Sequence, residues 1–105
     1  MLIDMRTYTM VPGRLKAFLD LYEAEGLPVQ RRHLPKLVGY FVSDIGPQNQ
    51  VVHLWGYASM AEREQKRAAL EADPDWVAYR MKSAASGSVQ HQENKILKSA
   101  SFSPI

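Results

Sequence analysis

The chain contains no cysteine. Disulfides, thiolate nucleophiles and cysteine-built metal sites are therefore excluded, and nothing in the composition calls for an oxidising compartment. No apolar run approaches the roughly 20 residues that a membrane span needs. The opening Met1-Leu2-Ile3-Asp4-Met5-Arg6 lacks the basic-then-apolar layout of a secretory signal. The expectation is a cytoplasmic protein with no membrane partner. An excess of one charge sign is missing too. Thirteen Lys and Arg against eleven Asp and Glu leave a formal charge of +2, too small a surplus to bind nucleic acid. Phosphate-binding loops, Gly-x-Ser-x-Gly elbows and dinucleotide fingerprints are absent. That argues against kinases, hydrolases of the elbow type and Rossmann oxidoreductases, and no cofactor is expected.

What is present is one ordinary globular domain over residues 1–105, with 46% hydrophobic and 23% charged residues and therefore no call for disorder. Leu2 to Met10 reads as a strand that Pro12-Gly13 ends. Ile3, Met5, Thr7 and Thr9 share one face, and Asp4, Arg6 and Tyr8 the other. A helix follows to about Glu25, with Leu15, Phe18, Leu19 and Tyr22 as its apolar stripe. Gly26 and Pro28 predict a break or kink, and Val29 to Leu34 a second short helical piece. Leu37 to Ile45 and Gln50 to Tyr57 form a hairpin about Gly46-Pro47-Gln48-Asn49. Ser59 and Glu62 have the spacing of a capping box for a helix to about Ala72. Asp73-Pro74 restarts the helix, which runs to Ser86-Gly87-Ser88. Val89 to Leu97 is a polar-rich last strand, and the tail beyond it reads as irregular.

The order β-α-β-β-α-β is that of the ferredoxin-like α+β fold, an antiparallel four-stranded sheet with helices on one face. The other face is normally polar where it meets water. Here Leu37, Gly39 and Phe41 alternate with Val38, Tyr40 and Val42, and His53, Trp55 and Tyr57 with Val52, Leu54 and Gly56, so polar faces are scarce. A sheet of this size presents roughly 400 Å² per face, at the upper end of what a monomer leaves bare. The pattern predicts a homodimer joined through the sheet face about a two-fold axis. Periodicity alone does not say which face meets the helices.

Several segments resemble the NIPSNAP family of the dimeric α/β-barrel superfamily. They are Met5-Arg6-Thr7-Tyr8-Thr9 with Pro12-Gly13, Val38-Gly39-Tyr40-Phe41 before Gly46, and Asn49-Gln50-Val51-Val52-His53-Leu54-Trp55-Gly56-Tyr57 before Ser59 and Glu62-Arg63-Glu64. Asp73-Pro74-Asp75-Trp76, Gln92-Glu93-Asn94 and Phe102-Ser103-Pro104 extend the likeness along nearly the whole chain. The resemblance implies a ferredoxin-like dimer. Relatives in the wider superfamily include cofactor-independent monooxygenases and haem-degrading enzymes that work in a cavity between sheet and helices. Animal family members carry mitochondrial targeting segments; no such extension is seen here, so that biology is not expected.

Candidate chemistry sits on two strands. Arg6 and Tyr8, two apart on one face, offer a guanidinium and a hydroxyl to an anionic or phenolic ligand. Equally, Arg6 has Asp4 or a partner-chain carboxylate to pair with. His53, Trp55 and Tyr57 form a bulky polar-aromatic face that suits either a pocket wall, with His53 as a proton shuttle near neutral pH, or plain packing. Tyr40 lies next door across the hairpin. His91 and Glu93 share a strand face but lack a third metal ligand, so no metal site is expected. His33 reads as a solvated surface residue, and Arg31, Arg32 and Lys36 as a solvated face rather than a phosphate site. The leading expectation is a homodimeric binder of a small organic ligand, extending to cofactor-free oxygenase- or isomerase-like catalysis. The alternative is a non-catalytic protein-interaction or scaffold module. A cavity lined by His53, Trp55 or Tyr57 favours the first, and a filled core beneath an exposed groove the second.

Overall fold

A computed structural model of the chain describes residues 1–105. The elements are β1 (Leu2–Met10), α1 (Leu15–Leu21), α2 (Leu27–His33), β2 (Leu37–Val42), β3 (Gln50–Tyr57), α3 (Met60–Ala72), α4 (Pro74–Ser86) and β4 (Val89–Lys98). The strands form one antiparallel sheet in the order β2-β3-β1-β4. This is the expected α+β, ferredoxin-like arrangement, with the second helical region split in two at Asp73. No helix is long and apolar enough to cross a membrane.

The helices choose the face carrying Leu2, Asp4, Arg6, Tyr8 and Met10. Register places Leu2 opposite Tyr57, Asp4 opposite Trp55, Arg6 opposite His53 and Tyr8 opposite Val51. Strand residues directly opposite share a face, so these side chains form one layer. Phe18, Tyr22, Val29, Leu70, Trp76 and Tyr79 pack on that layer from the helices. The other face carries Ile3, Met5, Thr7, Thr9, Phe41, Val52, Leu54 and Leu97, and no helix covers it. The thinnest dimension of the molecule is 19 Å, which is one sheet plus one helix layer.

β2 departs from simple alternation. A register shift between Leu37 and Gly39 makes Val38 a bulge residue. Leu37 then pairs with Trp55, and Tyr40 with His53, so both lie on the helix face. The expected grouping of Leu37 with Gly39 and Phe41 is thereby corrected, because an extra residue reverses the alternation beyond it. Pairing also stops at Val42, not Ile45. The hairpin closes by the Ser43 N–H donating to the Gln50 carbonyl at 3.0 Å, and Ser43 to Asn49 form a longer loop than the expected turn. Asn49 turns the chain back with φ of 61°, a left-handed conformation that asparagine tolerates.

The expected break at Gly26 and Pro28 is instead a π-helical turn over Tyr22–Gly26 that links α1 and α2 without leaving helical backbone angles. Pro28 stands in the first turn of α2, directly after the π-turn, and having no N–H it donates no bond back into that turn. Gly26 has a packing reason. A Cβ there would lie 2.8 Å from Cζ of Tyr79 and 2.9 Å from Cδ1 of Tyr22, so glycine lets α4 approach the π-turn.

The caps fall where the sequence places them. Ser59 Oγ accepts from the Glu62 N–H at 3.1 Å, and the Glu62 carboxylate reaches back one residue past the cap, to the Ala58 N–H. Asp73 Oδ1 accepts from the Asp75 N–H at 2.9 Å and so starts α4. Gly87, with φ of 63°, ends it. His33 is not a solvated surface residue as expected: its Nε2 lies 2.7 Å from Asp73 Oδ2 and fastens α2 to the α3–α4 junction. Arg32 adds a contact to Asp75 at 3.0 Å. The acidic side chains at this helix start draw in bases that charge counting alone leaves in solvent.

Candidate functional site

Between the sheet and the helices lies a cavity of about 300 Å³. β1 contributes Arg6 and Tyr8, β2 Tyr40, and β3 His53. The helices supply an aromatic wall of Phe18, Tyr22, Trp76 and Tyr79. Arg67, Glu71 and Arg80 rim the cavity from α3 and α4, and Gln92 of β4 stands at its open side. No helix lies over β4, whose side chains are almost all exposed, so the cavity opens towards that strand.

His53 is its centre. Only 2% of the residue is exposed. Its ring stacks on Tyr40 with centroids 4.5 Å apart and receives the Tyr8 ring edge-on at 4.8 Å. Trp55 donates its indole N–H to Nδ1 of His53 at 2.8 Å. An imidazole that accepts at Nδ1 carries its proton on Nε2 when neutral. Burial, with the Arg6 charge adding to it, lowers the His53 pKa to about 3. The ring is therefore neutral at pH 7, whereas the expected proton shuttle would titrate near neutral pH. At pH 7 this histidine is an N–H donor, and Nε2 has no partner.

Two further donors in the cavity wall lack partners: the Tyr40 hydroxyl and the Trp76 indole N–H. Burial holds the Tyr40 hydroxyl in its protonated form, with its pKa pushed well above the ordinary value. Buried polar groups are nearly always satisfied, so three orphans around one cavity need an explanation.

Arg6 is held on both sides. Its Nε donates to the Tyr8 hydroxyl at 2.9 Å and its Nη1 to Asp4 at 3.2 Å. Asp4, fully buried, also accepts from Arg63 at 3.0 Å and from Asn94 at 3.0 Å. Burial raises the Asp4 pKa, but the Asn94 hydrogen bond and the two guanidinium charges outweigh it, and the net shift is downward. The pairing of Arg6 with Asp4 and its place on the cavity wall are both realised.

Of the six residues expected in a site, Arg6, Tyr8, Tyr40 and His53 line the cavity. Trp55 and Tyr57 do not. Trp55 supports His53 from outside the cavity, and Tyr57 is buried in the core with its hydroxyl unpartnered. His53 and Trp55 are neighbours on one face, and a single cavity cannot reach the whole length of a strand. Sequence reasoning missed the helical half of the wall. Trp76 and Tyr79 share a helix face, and this was the available signal. Arg67 and Glu71, four apart on α3, look in sequence like a surface ion pair. His91 and Glu93 project from the uncovered sheet face, away from the cavity.

The NIPSNAP family model matches residues 3–104. The chain belongs to the NIPSNAP family. A NipSnap homolog from Dictyostelium discoideum is 35% identical over 75 residues, covering 70% of this chain and 32% of that protein. NipSnap homolog 2 of Danio rerio is 31% identical over 104 residues, 97% of this chain and 34% of its own length. The chain thus spans about a third of the length of these curated relatives. Solved structures match over most or all of their length. A NIPSNAP family protein of unknown function from Agrobacterium tumefaciens is 43% identical with a TM-score of 0.92, covering 99% of this chain and 92% of that one. An uncharacterized NIPSNAP domain protein from Burkholderia xenovorans is 35% identical with a TM-score of 0.93 and complete coverage of both chains. A putative antibiotic biosynthesis monooxygenase from Nitrosomonas europaea, 14% identical with a TM-score of 0.66 over 94% of this chain and 98% of that one, shares the fold.

Proposed function

We propose that this NIPSNAP-family domain is a homodimeric small-molecule-binding protein whose ligand occupies the cavity beside His53. The observation that carries this reading is the set of unpartnered polar groups, His53 Nε2, Tyr40 Oη and Trp76 Nε1, on residues that line one aromatic-walled cavity. Ligand sites are concave, mostly apolar and oriented by a few polar groups. A filled core would favour the scaffold alternative; the core here has a hollow. The likeness in fold to a protein described as a putative antibiotic biosynthesis monooxygenase extends the reading to cofactor-free oxygenase- or isomerase-like chemistry in the same cavity.

Dimerisation is supported by the surface. A monomer of 11.9 kDa is expected to expose about 5,900 Å², whereas this chain exposes 6497 Å². Part of the excess is the apolar sheet face, where Phe41 is 56% and Leu97 37% exposed. A second copy of that face is the cover that symmetry makes simplest.

The test is a thermal-shift screen of small ring compounds, repeated on Ala84→Phe. Ala84 is exposed at the cavity mouth, so the larger side chain closes the entrance without disturbing the core. Ligands that stabilise the native chain and lose their effect on Ala84→Phe support the reading. Equal shifts in both proteins place binding elsewhere and overturn it.

A further inference from the structure

Three residues that line the cavity carry unpartnered groups, all able to donate, and two of them able to do nothing else when His53 is neutral. His53 offers Nε2–H because Trp55 fills Nδ1. Trp76 Nε1 can only donate. The Tyr40 hydroxyl keeps its proton, and only an acceptor can use it. The charged groups lean the same way. Arg6, Arg67 and Arg80 line the cavity against one carboxylate, Glu71. Glu71 pairs with Arg80 at 2.5 Å and faces Arg67 at 3.6 Å, and Asp4 pairs with Arg6 from behind. Counting Asp4 with Glu71, the surroundings keep a surplus of one positive charge.

Resting on the small-molecule reading above, we propose that the ligand is a ring-bearing organic anion with its charge on oxygen, a carboxylate, enolate or phenolate, and that His53 receives it as a neutral Nε2–H donor. A buried donor without a partner is costly until an acceptor arrives. An anionic oxygen takes two or three such bonds and forms the stronger, charge-assisted kind. A cation would meet two fixed N–H groups, of His53 and Trp76, with their positive ends turned towards it; only the Tyr40 hydroxyl could turn a lone pair to it. Fixed donors aimed at an oxyanion also cost no reorganisation when it forms. Trp55 is a positioning residue here: it touches no ligand and holds the imidazole in the tautomer that donates.

The experiment follows the His53 ring nitrogens by proton–nitrogen NMR while two flat probes, 2-naphthoate and 2-naphthylmethylammonium, are titrated separately. In the free protein the Nε2–H tautomer is expected from pH 8 to pH 5, and Trp55→Phe is expected to mix the two tautomers. Naphthoate is expected to move the His53 Nε2–H signal, and Tyr40→Phe to weaken its binding about tenfold. That variant removes one oxygen from an unpartnered group, so it keeps the fold. An Nδ1–H tautomer, protonation of His53 near neutral pH, or naphthoate binding that ignores Tyr40→Phe overturns the proposal. Ammonium binding in the cavity as tight as naphthoate overturns it while leaving the small-molecule reading standing. Binding of neither probe overturns both.

Discussion

Trp55 and His53, two residues apart on β3, are joined side chain to side chain by a 2.8 Å hydrogen bond from the indole N–H to Nδ1. The bond is buried, and its acceptor can bind a proton only by breaking it. Burial above all, with the Arg6 charge adding to it, makes native His53 resist protonation and lowers its pKa from 6.5 to about 3. The unfolded chain takes up that proton first, so stability falls as pH drops from about 6.5 towards 3. The slope contributed by one such group reaches at most about 1.4 kcal/mol per pH unit. Urea unfolding at several pH values between 6 and 4 should show it. His53→Gln, whose amide oxygen can still accept from Trp55, should lose most of that slope.

Tyr40 leads to a trade between stability and binding. Its hydroxyl is buried without a partner, and the ring stacks on His53 and, at 5.1 Å, on Tyr22. Tyr40→Phe keeps both stacks and removes the orphan. The ligand-free variant should be more stable by about 1 kcal/mol, read as a higher midpoint of denaturant unfolding. A less stable variant would mean that the hydroxyl already has a partner in solution.

How much of this was legible in the sequence differs between the two halves of the site. Strand alternation placed Arg6 with Tyr8 on one face, because the period of two is rigid. The pairing of Tyr40 with His53 survives the register shift at Val38, since two hairpin strands must meet whatever the bulge does. The helical wall was harder. Trp76 and Tyr79 lie three apart on α4, and nothing local says that a hollow lies in front of them. The His53 tautomer was beyond reach as well, because it depends on one hydrogen bond between two side chains whose rotamers only packing sets. The π-turn at Tyr22–Gly26 looked like a break for a related reason. Gly26 and Pro28 are helix breakers locally, and the contact of Tyr79 with Gly26 that favours continuity lies 53 positions away.

That contact gives a third prediction. Gly26→Ala improves intrinsic helix propensity by roughly 1 kcal/mol. Its Cβ, however, would stand 2.8 Å from a Tyr79 ring atom that is buried and flanked by Trp76 and Tyr22. The overpacking cost, about 1–3 kcal/mol, should exceed the gain. Thermal unfolding should show a net loss. The Tyr79 ring, displaced towards the cavity, should reduce its volume and weaken any ligand bound there.

Asp4 is the polar anchor of the fold. It joins β1 to β4 through Asn94 and to α3 through Arg63, while holding Arg6 at the cavity. Asp4→Ala leaves two largely buried guanidinium groups, 17% and 18% exposed at their side chains, without their carboxylate. Breaking such a cluster costs about 3–5 kcal/mol. Asp4→Asn should cost less, because it keeps an acceptor. The native Asp4 pKa is depressed, so its contribution is fully present above the unfolded value near 3.8 and is lost as pH falls through the lower folded value. Acid unfolding of Asp4→Asn should therefore be shallower below about pH 4.

The open sheet face yields the last prediction. Leu54 sits in mid-strand on β3, flanked in register by Met5 of β1 and Gly39 of β2. The Phe41 ring lies across Gly39, whose added Cβ would meet it at 2.6 Å. These side chains form one apolar surface with no helix over it. In a two-fold dimer each substitution occurs twice in the interface. Burying a side chain of this kind is worth about 1.5–3 kcal/mol, so Leu54→Asp should weaken association by roughly 10² to 10⁴-fold. Sedimentation at micromolar concentration should find the native chain as a dimer and Leu54→Asp as a monomer. Leu54 faces away from the cavity, so the variant should keep its helical circular dichroism and the Trp55–His53 hydrogen bond. A native chain that sediments at 11.9 kDa would leave this face without a partner and remove the dimer from the proposed function.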